Sequence, residues 1–198
     1  MTAMAIAPDG TWLATASDDG KVRTWDPVTG QLRTILTGHA SPVTAMAIAP
    51  DGSWLATLSH DRAVRTWDPD TGLRHTVTGL TTAMAIAPDG SWLATASHDR
   101  AVRTWDPGTG QQGTTIRLTS PVTTMVIAPD GSWLATLSHD RTIRIWNFAT
   151  GAIGALMRVD RPLEACSWSP SGRLIAAVGD AGLYLFAFNS VTSVASEP

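Results

Sequence analysis

The chain has 198 residues, 43% of them apolar, and a formal net charge of −3. That is enough apolar material for a packed core, and too little basic charge for the clustered cationic face that nucleic acid demands. No apolar run approaches the ~20 residues of a membrane span, and the single cysteine, Cys166, excludes an intrachain disulfide or a cysteine zinc cluster.

The chain opens on MTAMAIAPDG, which lacks the basic start and long apolar stretch of a secretion signal, so a cytoplasmic protein is expected. The segment Met46–Pro69 returns as Met84–Pro107 with a single difference, Leu58 against Ala96. Met4–Pro27 and Met125–Asn147 are close variants, and Cys166–Phe186 is an eroded fifth copy. The proline that closes the first apolar run falls at Pro8, Pro50, Pro88, Pro129 and Pro170, in steps of 42, 38, 41 and 41 residues. A fixed period of this length means stacked supersecondary units. They start near residues 1, 43, 81, 122 and 163 and make one continuous architecture over 1–198.

Within residues 43–81, Val43–Ala49 is short, apolar and bounded by a proline, which favours a strand over a helix. Pro50-Asp51-Gly52 is a turn in which Pro presets φ, Asp bonds its own backbone and Gly tolerates positive φ. Trp54–Ser59 returns as the second strand of a hairpin. After Ser59-His60-Asp61-Arg62, Ala63–Trp67 reads as a third strand. Asp68–Gly72 is a longer turn, and Leu73–Thr78 is the weakest and outermost strand. The fold class is therefore all-β, a propeller of five four-stranded antiparallel blades. Fifteen of the seventeen acids are Asp, mostly in such turns, and read as turn chemistry.

The pattern "PDG…LAT.S.D..VR.WD" resembles the WD-repeat β-propeller family over essentially the whole chain. The Trp-Asp pair stands at Trp25-Asp26, Trp67-Asp68 and Trp105-Asp106, with Trp146-Asn147 and Phe186-Ala187 in the last two copies. The Gly-His pair of the family occurs once, at Gly38-His39. The resemblance implies a hydrogen-bonded tetrad running from His39 through Asp61 and a strand hydroxyl, Thr57 or Ser59, to Trp67. It gives Asp19 and Trp25, Asp99 and Trp105, and Asp140 and Trp146 the equivalent structural roles. The third, fourth and fifth copies lack the histidine, carrying Gly79-Leu80-Thr81, Leu118-Thr119 and Asp160-Arg161 there, and are expected to be looser or satisfied by water.

Blades stacked around an axis should bury their inner strands on both sides, which suits the apolar first strand. Arg65 shares a face with Trp67, its stem covering the neighbouring blade and its charge reaching water. Trp12, Trp54, Trp92 and Trp133 form a second column, read as blade packing first and as partner-facing aromatics second. Three closures are open: a self-closed five-blade ring, an arc that pairs with another chain, and a fragment of a longer repeat protein. An open arc would expose apolar blade faces and invite self-association. The divergent fifth copy resembles a terminal cap, from which a genuine C-terminal end is expected.

Ser-His-Asp at residues 59–61, 97–99 and 138–140 holds the residue types of a hydrolase triad. Consecutive strand side chains point to opposite faces, however, and an active site is normally built once rather than three times. His60, His98 and His139 sit too far apart for shared metal ligation. With Arg62, Arg100 and Arg141 they would form a cationic rim suited to an acidic or phosphorylated peptide. Phosphate loops and dinucleotide fingerprints are absent, and no cofactor is expected.

The function expected is a non-catalytic protein-interaction platform or regulatory and sensor module, with another protein or peptide as partner, and neither nucleic acid nor membrane. The repeats are similar to the tails of bacterial regulatory proteins, including kinases and signalling NTPases, and one Lys beside thirteen Arg fits a GC-rich bacterial gene. A self-assembling structural protein is the alternative. A propeller enzyme with a site at the channel mouth is the remote one.

Overall fold

Each copy of the repeat folds where its turns force the chain to reverse. In Pro50-Asp51-Gly52 the glycine takes φ 71°, a region it enters without steric cost, and Asp51 Oδ1 accepts the Ser53 N–H at 3.0 Å. The same aspartate-to-backbone bond recurs at Asp9, Asp89 and Asp130.

The computed structural model describes residues 1–188. Blade 1 holds β1 (Ala3–Ile6), β2 (Leu13–Ala16), β3 (Val22–Trp25) and β4 (Leu32–Leu36). Blade 2 holds β5 (Val43–Ile48), β6 (Leu55–Ser59), β7 (Ala63–Asp68) and β8 (Gly72–Thr78). Blade 3 holds β9 (Thr81–Ile86), β10 (Leu93–Ser97), β11 (Ala101–Trp105) and β12 (Gln112–Arg117). Blade 4 holds β13 (Val122–Ile127), β14 (Trp133–Ser138), β15 (Thr142–Asn147) and β16 (Ile153–Arg158). Blade 5 holds β17 (Leu163–Trp168), β18 (Leu174–Gly179) and β19 (Gly182–Ala187). Every sheet is antiparallel with its strands in chain order; among the described residues four have four strands and the last has three. A fourth strand for blade 5, expected from the five four-stranded blades, would fall at 189–198, outside the described residues.

The first strands line up along the axis: β1 packs on β5, β5 on β9, β9 on β13 and β13 on β17. Among the described residues β17 has no comparable packing against β1, so the blades form an open arc and the self-closed ring is not formed. Four shared cores join neighbouring blades. In each, the tryptophan-bearing face of one blade meets the opposite face of the blade before it. Trp67, Leu55, Met46 and Ile48 pack on Ala14, Ala16 and Val22; Leu93, Met84, Ile86 and Trp105 pack on Ala56, Leu58 and Val64. Trp146 and Leu134 meet Ala94 and Val102, while Trp168 and Phe186 meet Ala135 and Ile145.

Two expectations are corrected here. The most deeply buried strands are the second ones, with every residue of β6 and β10 buried, whereas β5 is mostly half-buried. First strands face the central channel on their open edge, and second strands are enclosed by sheet neighbours and by adjacent blades. The fifth blade is also not a polar cap: Leu174, Val178, Leu183 and Leu185 lie exposed on its outer face.

Candidate functional site

The end of the arc that carries the second-to-third strand turns is built on the tetrad residues, so the tetrad comes first. Gly38 brings the connection from blade 1 onto the indole of Trp67, where an added Cβ would lie 3.1 Å from Cη2. This close approach delivers His39 into the blade, its ring centroid 5.8 Å from that of Trp67. The Trp67 indole N–H donates to Thr57 Oγ1 at 2.7 Å, and Thr57 Oγ1 lies 2.7 Å from His39 Nε2. His39 Nδ1 in turn lies 3.0 Å from Asp61 Oδ2.

The geometry places His39, Thr57, Asp61 and Trp67 in one chain, with Thr57 as its hydroxyl. Ser59 instead donates to the Ser41 carbonyl at 2.9 Å. The order differs from the expected one: histidine, not aspartate, is the bridge. Imidazole has nitrogens on two edges and so reaches a hydroxyl and a carboxylate together. A neutral ring protonated on Nδ1 lets Thr57 donate to Nε2 and Nδ1–H donate to Asp61, with Arg65 Nη1 crowded against the same nitrogen at 2.5 Å. Burial pushes the His39 pKa down, against the opposing pull of Asp61, and the Arg65 charge adds to the lowering. Burial alone would raise the Asp61 carboxyl. Hydrogen bonds from His39, the Ala63 and Ala40 N–H groups and Arg65 outweigh it and hold the group well below the usual carboxylate range.

Arg65 does not send its charge to water. It donates to Asp61 at 2.7 Å, across the turn of its own blade. Arg23 pairs with Asp19 and Arg144 with Asp140, each at 2.7 Å, and Arg103 pairs with Asp99. This partner of the tetrad was missed in the sequence, although the spacing D-x-x-x-R across a three-residue turn signals it. The lower half of the tetrad recurs in blades 1, 3 and 4: Trp25 donates to Thr15 at 2.8 Å, Trp105 to Thr95 at 2.7 Å and Trp146 to Thr136 at 3.0 Å. Where histidine is absent, the blades differ. In blade 4, Arg144 also donates to Thr119 at 2.9 Å. Blade 3 has a cavity of about 300 Å³ lined by Thr95, Asp99, Arg103 and Trp105, the equivalents of the residues that hold His39 in blade 2.

Above this layer lie the rim residues. His60-Asp61-Arg62 is a three-residue hairpin loop closed by the Arg62 N–H on the Ser59 carbonyl at 2.9 Å. Its third residue must be left-handed. Arg62 has φ 67°, Arg100 62° and Arg141 62°, while blade 1 has Gly20 there at 72°. A Cβ on Gly20 would lie 2.7 Å from the His39 carbonyl, so the long connection into blade 2 forbids a side chain that the other connections allow. All three His and all three Arg are exposed. His60, Arg62 and His98 share one cleft of about 620 Å³ with Thr44, Leu58 and Thr82. Arg100, His139 and Arg141 lie outside that cleft, and Arg141 donates to the Asp160 carbonyl at 3.1 Å. Among the described residues, the Arg62 and Arg100 guanidiniums hydrogen-bond to nothing.

The Ser-His-Asp runs do not converge: Ser59 turns to the Ser41 carbonyl, Asp61 to His39 and Arg65, and His60 to solvent. Among the described residues no group of three or more His, Cys, Asp or Glu could hold a metal ion. No helix is long and apolar enough to cross a membrane. The second tryptophan column packs between blades: Trp12 and Trp54 are buried, and half-buried Trp92 and Trp133 meet Phe148 and Phe188 at ring separations of 4.3 and 5.1 Å. Cys166 is half-buried in β17, and burial pushes its thiol up to about 12, which leaves it inert.

Comparison with known proteins follows the same repeat. The WD40 family, described as "WD domain, G-beta repeat", matches residues 1–26, 30–68, 73–106 and 110–147. Among curated proteins, the chain is 49% identical over 37 residues to the Notchless protein homolog of Arabidopsis thaliana, 19% of this chain and 8% of that protein. It is 49% identical over 41 residues to Ribosome biogenesis protein erb1 of Aspergillus niger, 20% of this chain and 5% of the relative. It is 61% identical over 28 residues to Ribosome biogenesis protein ERB1 of Debaryomyces hansenii, 14% and 4% respectively. These stretches are about one repeat long and span under a tenth of each relative, and all three relatives are eukaryotic. With the family pattern matched over most of its length and a sheet for every copy, this chain belongs to the WD-repeat family.

Proposed function

We propose that the chain is a non-catalytic interaction platform that docks an acidic or phosphorylated peptide segment on the rim formed by His60, Arg62, His98, Arg100, His139 and Arg141. Membership of the WD-repeat family supports a protein-interaction module in general. The observation that carries the finer reading is the left-handed backbone of three equivalent arginines. A side chain in that region costs roughly 1–2 kcal/mol, which glycine would avoid. Arginine at three such turns therefore costs stability, and exposed guanidiniums at Arg62 and Arg100 offer bidentate forks to carboxylate or phosphate. The single half-buried cysteine suits a reducing cytoplasm.

Fluorescence anisotropy against matched phosphothreonine, Glu-rich and unmodified peptides tests this reading. Binding of the first two, weakened by salt and lost in the Arg62→Ala/Arg100→Ala/Arg141→Ala variant, is the expected result. Equal binding by wild type and variant would discard the rim.

A further inference from the structure

The two ends of the arc present the two kinds of face that meet at each internal junction. At each of the four internal junctions, a tryptophan face covers the opposite face of the preceding blade. Among the described residues no blade packs on the tryptophan face of blade 1. Met4 is 57% and Ile6 59% exposed, where the equivalent Met46, Ile48, Met84 and Ile86 are half-buried and Met125 and Ile127 are 6% and 7% exposed. Trp25 and Leu13 lie half-buried beside them, against fully covered Trp67 and Leu55.

Among the described residues no blade packs on the opposite face of blade 5. Leu183 is 63%, Leu185 64% and Val178 42% exposed, whereas the register-equivalent Val64, Thr66 and Leu58 are 0%, 2% and 7%. Leu185 also stands where blades 1 to 3 carry Thr24, Thr66 and Thr104 and blade 4 carries Ile145, so this face is more apolar than those of the first three blades and matches that of blade 4.

We infer that a second copy of this chain docks head to tail, the tryptophan face of its blade 1 seated on the outer face of blade 5. The occupant follows from the four junctions already formed: at three of them the blade that covers such a face presents Met, Ile, Leu and Trp, at the fourth Cys166, Trp168, Ile175 and Phe186, and blade 1 of another copy presents the first set unpartnered. Such contacts are heterologous, since each copy offers two different surfaces. They propagate into a chain of copies unless the rotation closes.

Sedimentation velocity on the full chain over a concentration series tests this, with two end variants. Met4→Glu/Ile6→Glu blocks one end and Leu183→Glu/Leu185→Glu the other. The expected results are a wild-type mass that grows with concentration and a contact weakened about a hundredfold or more in each variant, because the new carboxylates would be buried unpaired. An equimolar mixture of the two variants retains one intact pair of surfaces and should form dimers and nothing larger. Circular dichroism checks folding, and Leu183→Ser/Leu185→Thr is the milder substitute should the glutamates disturb blade 5. A wild type that stays monomeric at every concentration overturns the inference, as does a mixture in which no dimer forms.

Discussion

Thr57 stands between Trp67 and His39, its Oγ1 accepting the indole N–H at 2.7 Å and hydrogen-bonded to Nε2 at 2.7 Å. All three groups are buried. Thr57→Val keeps the shape and strands two buried polar atoms at once, so it should destabilise the chain by about 2–4 kcal/mol, while Thr57→Ser should cost about 1 kcal/mol or less. The same change at Thr15, whose partner Trp25 is half-buried and has no histidine above it, should cost clearly less. Urea unfolding of the three variants decides the ranking.

His39 makes stability depend on pH. Its pKa is lowered in the fold from an ordinary 6.5, mainly by burial, so below that pH the unfolded chain binds more protons than the folded one. Its contribution is complete above the ordinary value and is lost as pH falls through the folded value. Unfolding midpoints should drop between about pH 7.5 and pH 5.5, and His39→Gln should lower the midpoint at pH 7.5 while flattening that slope. A further loss below about pH 4 belongs to Asp61, whose carboxyl is depressed by its four hydrogen-bond partners. A His39→Gln variant with an unchanged pH profile would contradict the neutral bridge.

Ser59 and Ser138 occupy the same place in two blades with opposite circumstances. Ser59 donates to the Ser41 carbonyl at 2.9 Å, whereas Ser138 Oγ is buried with no partner. Ser59→Ala should therefore cost about 1 kcal/mol, and Ser138→Ala should be neutral or stabilising by up to about 1 kcal/mol. Thermal unfolding of the pair checks the sign.

Arg62→Gly and Arg100→Gly separate docking from folding. Relieving φ 67° and 62° should leave stability equal or raise it by about 0.5–1 kcal/mol at each turn. Peptide binding, measured on the same samples, should fall. A joint loss of stability and binding would mean that these side chains hold the turns instead.

Most of the fold was legible because the repeat states its own punctuation. Val43–Ala49, Trp54–Ser59, Ala63–Trp67 and Leu73–Thr78 coincide with the observed strands at four of eight ends and differ by one residue at the other four, since Pro50, Gly52 and Gly72 fix where the chain reverses. The order of the tetrad was not legible, because residue types name its members without saying which atom faces which. Arg65 was misjudged for a related reason: alternation gives the face a side chain leaves from, not the acid waiting four residues back across a tight turn. Closure was undecidable because no single repeat encodes the angle between blades. The apolar outer face of blade 5 was hidden by the erosion of its motif, which resembled a cap when only the loss of Trp and Asp was weighed.

Every junction in the arc has the same direction, tryptophan side toward the lower-numbered neighbour. A molecule assembled this way is polar in the sense that a filament is, with a leading and a trailing terminus that never interchange. Gaining or losing one internal module leaves the two outer faces of the arc as they were. Duplication of a ~40-residue segment is therefore a structurally silent event, and length in such a lineage is free to drift in unit steps.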